Sequence, residues 1–304
     1  MTSLEGKVAV VTGAGRGLGR VEALALAAQG AKVVVNDLGV SAEGTGQDQS
    51  AGQGVVDEIK AAGGEAVAHY GDVASWDDSK AMIECAVDTF GDLNILVNNA
   101  GFCRDKMIFS MSEEEFDSVV RVHLKGHFCS MRHATEYWRN KGKAGEPVYG
   151  RIISTASEAF IFGSAGQPNY AAAKAGIVAM TNSAAQAMAK YGVTANSFMP
   201  RARTAMTAGG ITAQMFAKPD EGFDTFSPEH AAPLVTYLAS PASQNISGNL
   251  FIVWGKQIAL LQAPGRAAEF NSEEAWSHDS VDSVLTKYFA DKQPIADSFI
   301  VPPM

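Results

Sequence analysis

At 304 residues and 32.0 kDa, with 46% hydrophobic and 19% charged residues, the chain has globular composition and ample material for a core. A net charge of −9 and a pI near 5.2 repel phosphate backbones, so nucleic acid is excluded as a partner, and the lack of any uninterrupted apolar run of about 18 residues excludes a spanning helix. Three cysteines (Cys85, Cys103 and Cys129), in neither C-x-x-C nor Cys/His ligand spacing, suit free thiols in a reducing compartment and suggest no metal site.

The chain opens with Met1-Thr-Ser-Leu-Glu-Gly-Lys7, which has no basic-then-apolar leader, and closes with Val301-Pro-Pro-Met304, which is no peroxisomal address. A soluble, cytoplasmic protein is expected. Apolar, β-branched runs at 7–12, 32–36, 66–70, 94–98, 151–154, 194–199 and 250–254 predict strands covered on both faces. Helical stretches are expected over 18–29, 53–62, 76–90, 113 to about 141, and 168–190. Their alternation implies an α/β fold: a Rossmann-like, doubly wound parallel sheet of about seven strands with helices on both faces. Residues 39–54, rich in Gly, Ser and Gln, read as a flexible loop; 201–226 lack periodicity and read as a mobile lid. Residues 264–304 are a polar extension of a single domain spanning 1–304.

Thr12-Gly-Ala-Gly-Arg-Gly-Leu-Gly19 falls at the junction of the first strand and first helix, where a parallel sheet binds a pyrophosphate by close backbone approach and the helix N-terminus. Gly13, Arg16, Gly17, Leu18 and Gly19 are therefore candidate dinucleotide contacts. Asp37 closes the second strand, 18 residues past Gly19. An acid there accepts hydrogen bonds from the adenosine ribose and repels a 2′-phosphate, favouring NAD over NADP, although Arg16 is a basic neighbour that can assist a phosphate. Asp72 and Val73, after the third strand, can hold the adenine edge; Asn98-Asn99-Ala100-Gly101 ends the fourth with small residues where the ribose must pass.

Tyr170 and Lys174 lie four apart on a helix, just over one turn, so they share a face. A lysine ammonium beside a tyrosine favours the phenolate and brings it into range for proton transfer with a substrate hydroxyl. Ser157, 13 residues before Tyr170 and just past the fifth strand, stands on the rim where such sheets place their chemistry.

Together, Thr12-Gly-x-x-x-Gly-x-Gly19, Asn98-Asn-Ala-Gly101, Ser157 and Tyr170-x-x-x-Lys174 resemble the short-chain dehydrogenase/reductase family, over roughly residues 5 to 255. The resemblance implies a Ser–Tyr–Lys site and hydride transfer to or from nicotinamide. Val35-Asn-Asp-Leu-Gly39, Val122-His-Leu-Lys-Gly126 and Gly166-Gln-Pro-Asn-Tyr170 are similar to the (3R)-hydroxyacyl-CoA dehydrogenase domain of type 2 multifunctional β-oxidation enzymes. That implies an acyl-CoA substrate; a hydroxysteroid fits the same cues. Two positions depart from the family pattern. His123 stands where a fourth catalytic residue, Asn, is usual, and Pro200-Arg201 replaces Pro-Gly, leaving Thr204 or Thr207 to bond the carboxamide.

Phe198, Met199, Met206, Met215 and Phe216 can line a hydrophobic pocket or pack in the core, and Arg201 and Arg203 can meet CoA phosphates or lie on a solvated lid. The small-residue helix after Tyr170 predicts a homodimer or homotetramer. A protein of another class, a catalytically silent NAD-sensing scaffold, would share the fold but not the turnover.

Overall fold

The structure is a computed structural model and describes residues 3–40, 46, 48–207, 210–262 and 266–291, the side chains of 205 and 210–212 apart. The first half runs β1 (Val8–Thr12), α1 (Gly17–Ala28), β2 (Lys32–Asn36), α2 (Ser50–Ala61), β3 (Ala66–His69), α3 (Trp76–Phe90), β4 (Ile95–Asn98) and α4 (Glu113–Val120). A π turn, Arg121–Lys125, joins α4 to α5 (Gly126–Lys143). There follow β5 (Gly150–Thr155), α6 (Ala159–Phe162), α7 (Pro168–Met188), β6 (Val193–Pro200), α8 (Gly210–Met215), α9 (Ala232–Ala239), β7 (Leu250–Trp254), β8 (Gln257–Leu261) and α10 (His278–Phe289).

One sheet holds all the described strands, in the order β3-β2-β1-β4-β5-β6-β7-β8. Every pairing is parallel except β7 with β8. The chain winds outward from β1 to β3, then returns to β4 on the other side, and a crevice opens between β1 and β4 at this reversal. Side chains along each strand alternate between two cores. On one face Ala9, Val11, Val33, Val35, Val97 and Ile153 pack with Leu18 and Leu26 of α1, Val55 and Ile59 of α2, and Val235 and Leu238 of α9. On the opposite face Val8, Val10, Val34, Leu96 and Ile152 meet Met82 and Ile83 of α3, Trp138 of α5 and Met188 of α7. Covering both faces is why these strands are continuously apolar.

The helices start and stop on local signals. The Ser75 hydroxyl accepts from the Asp78 N–H at 3.3 Å to begin α3, and Ser112 with Glu115 forms a reciprocal capping box on α4.

Several expected elements change. The sheet has eight strands rather than seven, because Gln257–Leu261 folds back antiparallel on β7 as an edge. The helix expected from 113 to about 141 extends to Lys143 and is broken at the π turn. The 39–54 loop gives way to helix at Ser50, with 41–45 and 47 outside the described residues. The 264–304 extension contains α10, capped by Ser277 and Ser280; 264–265 and 292–304 lie outside the described residues. The 201–226 segment includes a 3-10 turn at Ala205–Thr207 and α8, with 208–209 outside the described residues.

Candidate active site

The glycine turn builds the floor of the first cavity. Gly13 has φ +62°, and a Cβ there would stand 2.8 Å from the Ala100 Cα, so only glycine lets the ends of β1 and β4 approach this closely. The Thr12 hydroxyl accepts the N–H groups of Asn99 (3.0 Å) and Ala100 (3.1 Å), tying the two strand ends together. Gly13, Arg16, Gly17 and Leu18 line this cavity of about 330 Å³ on one side. Asp37, Asp72, Val73, Asn99, Ala100, Gly101 and Thr204 line it too.

Gly19 does not line the cavity. It lies one layer beneath, where a Cβ would strike the Gly13 carbonyl and come within 2.6 Å of the Asn99 amide. Glycine is required there by the packing under the turn, within the first turn of α1. Asp37 is buried, with its carboxylate accepting the N–H of Gly15 and of Gly39, each at 2.7 Å. Asp72 accepts from Arg121 (2.5 Å) and from the Ala74 N–H (2.8 Å). The wall also includes Ser118, Arg121 and Val122 from the α4 end, which sequence reasoning missed because those residues reach the site only through tertiary packing.

A second cavity, about 210 Å³, adjoins the first and shares Leu18, Asn99, Thr204 and Met206 with it. Ser157, Tyr170, Lys174, His123 and Pro200 all line it. Ser157 follows β5, and its hydroxyl accepts the Ala159 N–H at 3.2 Å and is hydrogen-bonded to Tyr170. Lys174 is fully buried; its Nζ donates to the Thr155 carbonyl at 2.6 Å and lies 5.4 Å from the Tyr170 ring centre. Burial pushes Lys174 down to about 7, while negative charge on Cys103 and Glu22 opposes the shift. Burial likewise raises the Tyr170 hydroxyl above its ordinary range, Cys103 and Asp105 add to this, and the Ser157 hydrogen bond pulls the other way.

His123 sits inside the π turn and touches the Tyr170 ring edge-on, with centroids 5.1 Å apart. Its Nε2 lies 2.8 Å from the Phe102 carbonyl. Burial first, then the Lys174 charge, hold it well below the usual imidazole range, so it is neutral. The same Nε2 also lies 3.2 Å from the Phe102 N–H, so both backbone polar groups of Phe102 face it, while Nδ1 has no partner among the described residues.

Of the hydrophobic residues expected around the pocket, Met206 and Phe216 line it. Phe198 and Met199 are buried in the core, and Met215 is exposed. Both arginines that could meet CoA phosphates are engaged in ion pairs. Arg201 is buried in a bidentate pair with Glu158 (2.6 and 2.7 Å) and stacks 4.2 Å from the Trp254 ring centre, while Arg203 is paired with Asp224. Cys103, Asp105 and Gln167, with Gln167 donating to Asp105 at 2.9 Å, complete the second cavity and were not anticipated.

A glycine cradle at a sheet reversal, opening onto a Ser–Tyr–Lys cluster, defines a nicotinamide-type oxidoreductase site. The chain belongs to the short-chain dehydrogenase family, whose family model, "short chain dehydrogenase", matches residues 7–214. It is 47% identical over 300 residues to hydroxyacyl-CoA dehydrogenase ChsB1 of Mycobacterium tuberculosis, covering 96% of this chain and 92% of that protein. It is 44% identical over 264 residues to the peroxisomal multifunctional enzyme type 2 of Drosophila melanogaster, a match that covers 87% of this chain but only 42% of the longer enzyme. A short chain dehydrogenase structure from Mycobacterium avium superposes with a TM-score of 0.86 at 45% identity, covering 98% of this chain and 99% of that one. Among the described residues no helix is long and apolar enough to cross a membrane.

Proposed function

We propose that the protein is an NAD-dependent dehydrogenase of secondary alcohols of the (3R)-hydroxyacyl-CoA type. The observation that carries this reading is the meeting of Ser157, Tyr170 and Lys174 in a cavity continuous with the glycine cradle. The acyl-CoA class is supported by the names of the relatives, one a hydroxyacyl-CoA dehydrogenase and another a peroxisomal multifunctional enzyme. The glycine turn, Asp72, Val73, Asn99, Ala100, Gly101, Pro200 and Thr204 fit the dinucleotide. The choice of NAD rests on Asp37, a carboxylate at the end of β2 that lines the first cavity and would repel a 2′-phosphate. Bound NAD supplies the carbon that takes the hydride.

The remaining chemistry belongs to this chain. Ser157 holds the substrate oxygen by hydrogen bond, and Tyr170 takes the hydroxyl proton as general base. Lys174 lies beside the Tyr170 ring, where its ammonium form favours the phenolate. His123, neutral and anchored to Phe102, fixes the face of the Tyr170 ring. We further infer a homo-oligomer, in line with the small-residue face of α7; a monomeric mass by light scattering at micromolar concentration overturns that part.

The test is Tyr170→Phe. Turnover of (3R)-hydroxyacyl-CoAs, followed by NADH absorbance, is expected to fall at least about a hundredfold. NADH binding by protein fluorescence persists. Near-normal turnover in this variant refutes the assignment, and wild-type turnover of hydroxysteroids but of no hydroxyacyl-CoA moves the substrate class.

A further inference from the structure

Two loops border the second cavity: residues 99–112 after β4, and 163–167 before α7. Bonds to the backbone already join them. The Lys106 N–H donates to the Gly166 carbonyl at 2.8 Å, and Asn169 Nδ2 donates to the Arg104 carbonyl at 3.0 Å. One more bond crosses between the loops, from Gln167 Nε2 to an Asp105 carboxylate oxygen at 2.9 Å. Both of these side chains line the cavity, and the loops do not need them to stay together.

Gln167 is the N-cap residue of α7, a position whose side chain ordinarily accepts from a first-turn N–H. It makes no such bond; Asn169 Oδ1 accepts the Tyr170 N–H instead, at 2.7 Å. The Gln167 backbone is pinned on both sides, its N–H to the Ser164 carbonyl (3.0 Å) and its carbonyl to the Ala171 N–H (2.8 Å). The side chain alone is thus committed to the cavity. A primary amide carries two donor hydrogens, and an ionised carboxylate only accepts. Asp105 therefore turns the amide nitrogen, not its oxygen, toward itself and takes one hydrogen. The second hydrogen has no partner among the described residues.

Gln167 precedes Tyr170 by three residues, so the two side chains stand on one helix face about a turn apart. The hydrogen-bonded Ser157 and Tyr170 hydroxyls mark the place of the reacting oxygen. A substrate oxygen held there leaves the neighbouring part of the molecule to meet the Gln167 amide. In a 3-hydroxyacyl thioester that part is the thioester carbonyl, an acceptor, whose β carbon bears the hydroxyl. A hydroxysteroid offers only hydrocarbon there and would desolvate the amide hydrogen without pairing it.

We propose that Gln167 reads the thioester carbonyl by donating its second amide hydrogen to that oxygen, with Asp105 as the positioning residue that fixes the amide. The inference rests on the hydroxyacyl thioester reading above and deepens it: the same pair that accepts the thioester disfavours alcohols lacking a carbonyl at that place.

The experiment compares two probes: a (3R)-hydroxyacyl thioester of N-acetylcysteamine, and the matching thioether in which a methylene replaces the carbonyl. Their kcat/KM values, followed by NADH absorbance, give a preference ratio. Gln167→Leu should lower that ratio about tenfold. Asp105→Ala, which frees the amide to turn, should lower it about threefold, and Asp105→Asn, which keeps an acceptor oxygen, should restore most of it. An unchanged ratio in Gln167→Leu overturns the proposal even if both rates fall together. Loaded with NAD, the protein cannot reduce a ketone, so calorimetry with the corresponding 3-oxo compounds measures binding alone. Wild type should bind the thioester about tenfold tighter than the thioether, and Gln167→Leu should erase the difference. Should that variant not fold, the wild-type titration decides, and equal affinities overturn the proposal. Near-normal turnover in Tyr170→Phe bears on the general base and leaves this binding preference untouched, so the two readings fail separately.

Discussion

Breaking the buried pair between Arg201 and Glu158 should be among the costliest single changes near the site. Their side chains are 7% and 3% exposed, and two hydrogen bonds of 2.6 and 2.7 Å join them. Removing one member leaves the other charge buried without compensation, a loss of about 3–5 kcal/mol. For a protein of this size each kcal/mol lowers Tm by about 2–4 °C, so Arg201→Met or Glu158→Gln should melt roughly 10 °C below wild type. Replacing both at once removes both charges, and the double variant Arg201→Met/Glu158→Gln should be closer to wild type than the sum of the singles. Glu158 also follows Ser157 directly, so the singles should lose turnover as the Ser157 hydroxyl shifts. Thermal unfolding of the four proteins, read as a double-mutant cycle at a pH of about 7.5, measures the coupling. Additive losses, or singles within about 1 kcal/mol of wild type, would show that the pair carries none of the assigned energy.

Three further outcomes are expected. Gly101→Ala places a Cβ against the His123 ring, 2.6 Å from each nitrogen, and breaks its anchor to Phe102; urea unfolding should register a loss of about 1–3 kcal/mol, with turnover reduced. His127 is buried and held down to about 3 by burial first and then by Lys174. The unfolded chain takes that proton below about 6.5 and the folded one does not until about 3, so stability is complete above 6.5 and falls by about 1.4 kcal/mol per pH unit below it. Urea titrations at about pH 7 and pH 5 should therefore show a smaller acid loss in His127→Gln than in wild type; equal losses refute this. Asp37→Ser should narrow the preference for NADH over NADPH in fluorescence titrations, and an unchanged ratio would shift the discrimination elsewhere.

The parallel sheet and the Ser157–Tyr170–Lys174 group are legible in the sequence because each depends on local pattern: apolar runs for doubly covered strands, one helical turn from Tyr170 to Lys174, and glycines where strand meets helix. What is not legible depends on distant contacts. Arg201 reads as a surface residue until Glu158, 43 positions away, buries it. Ser118 and Arg121 reach the cofactor wall only because α4 folds over it. The apolar strand Gln257–Leu261 carries no sign of its direction; the turn after Trp254 sets it antiparallel. Glu22 looks like an ordinary helix acid, since burial of one position in an amphipathic helix is decided by what packs upon it.

The π turn at Arg121–Lys125 acts as an angular spacer. The Gly126 N–H bonds back to the Arg121 carbonyl, one residue further than an α-helix allows. One extra residue rotates everything after it by about 100° about the axis. Before it, α4 is fixed by the Ser112 capping box and by Asn169, whose amide donates to the Glu115 carbonyl at 2.9 Å. Beyond it, α5 is fixed by Ser130 to Asn98 (2.6 Å) and Trp138 to the Leu93 carbonyl (2.7 Å). An unbroken helix could satisfy one set of anchors only by turning the other away from its partners. Deleting a single residue from this turn would thus dephase two correctly folded halves of one rod, with His123 at the seam.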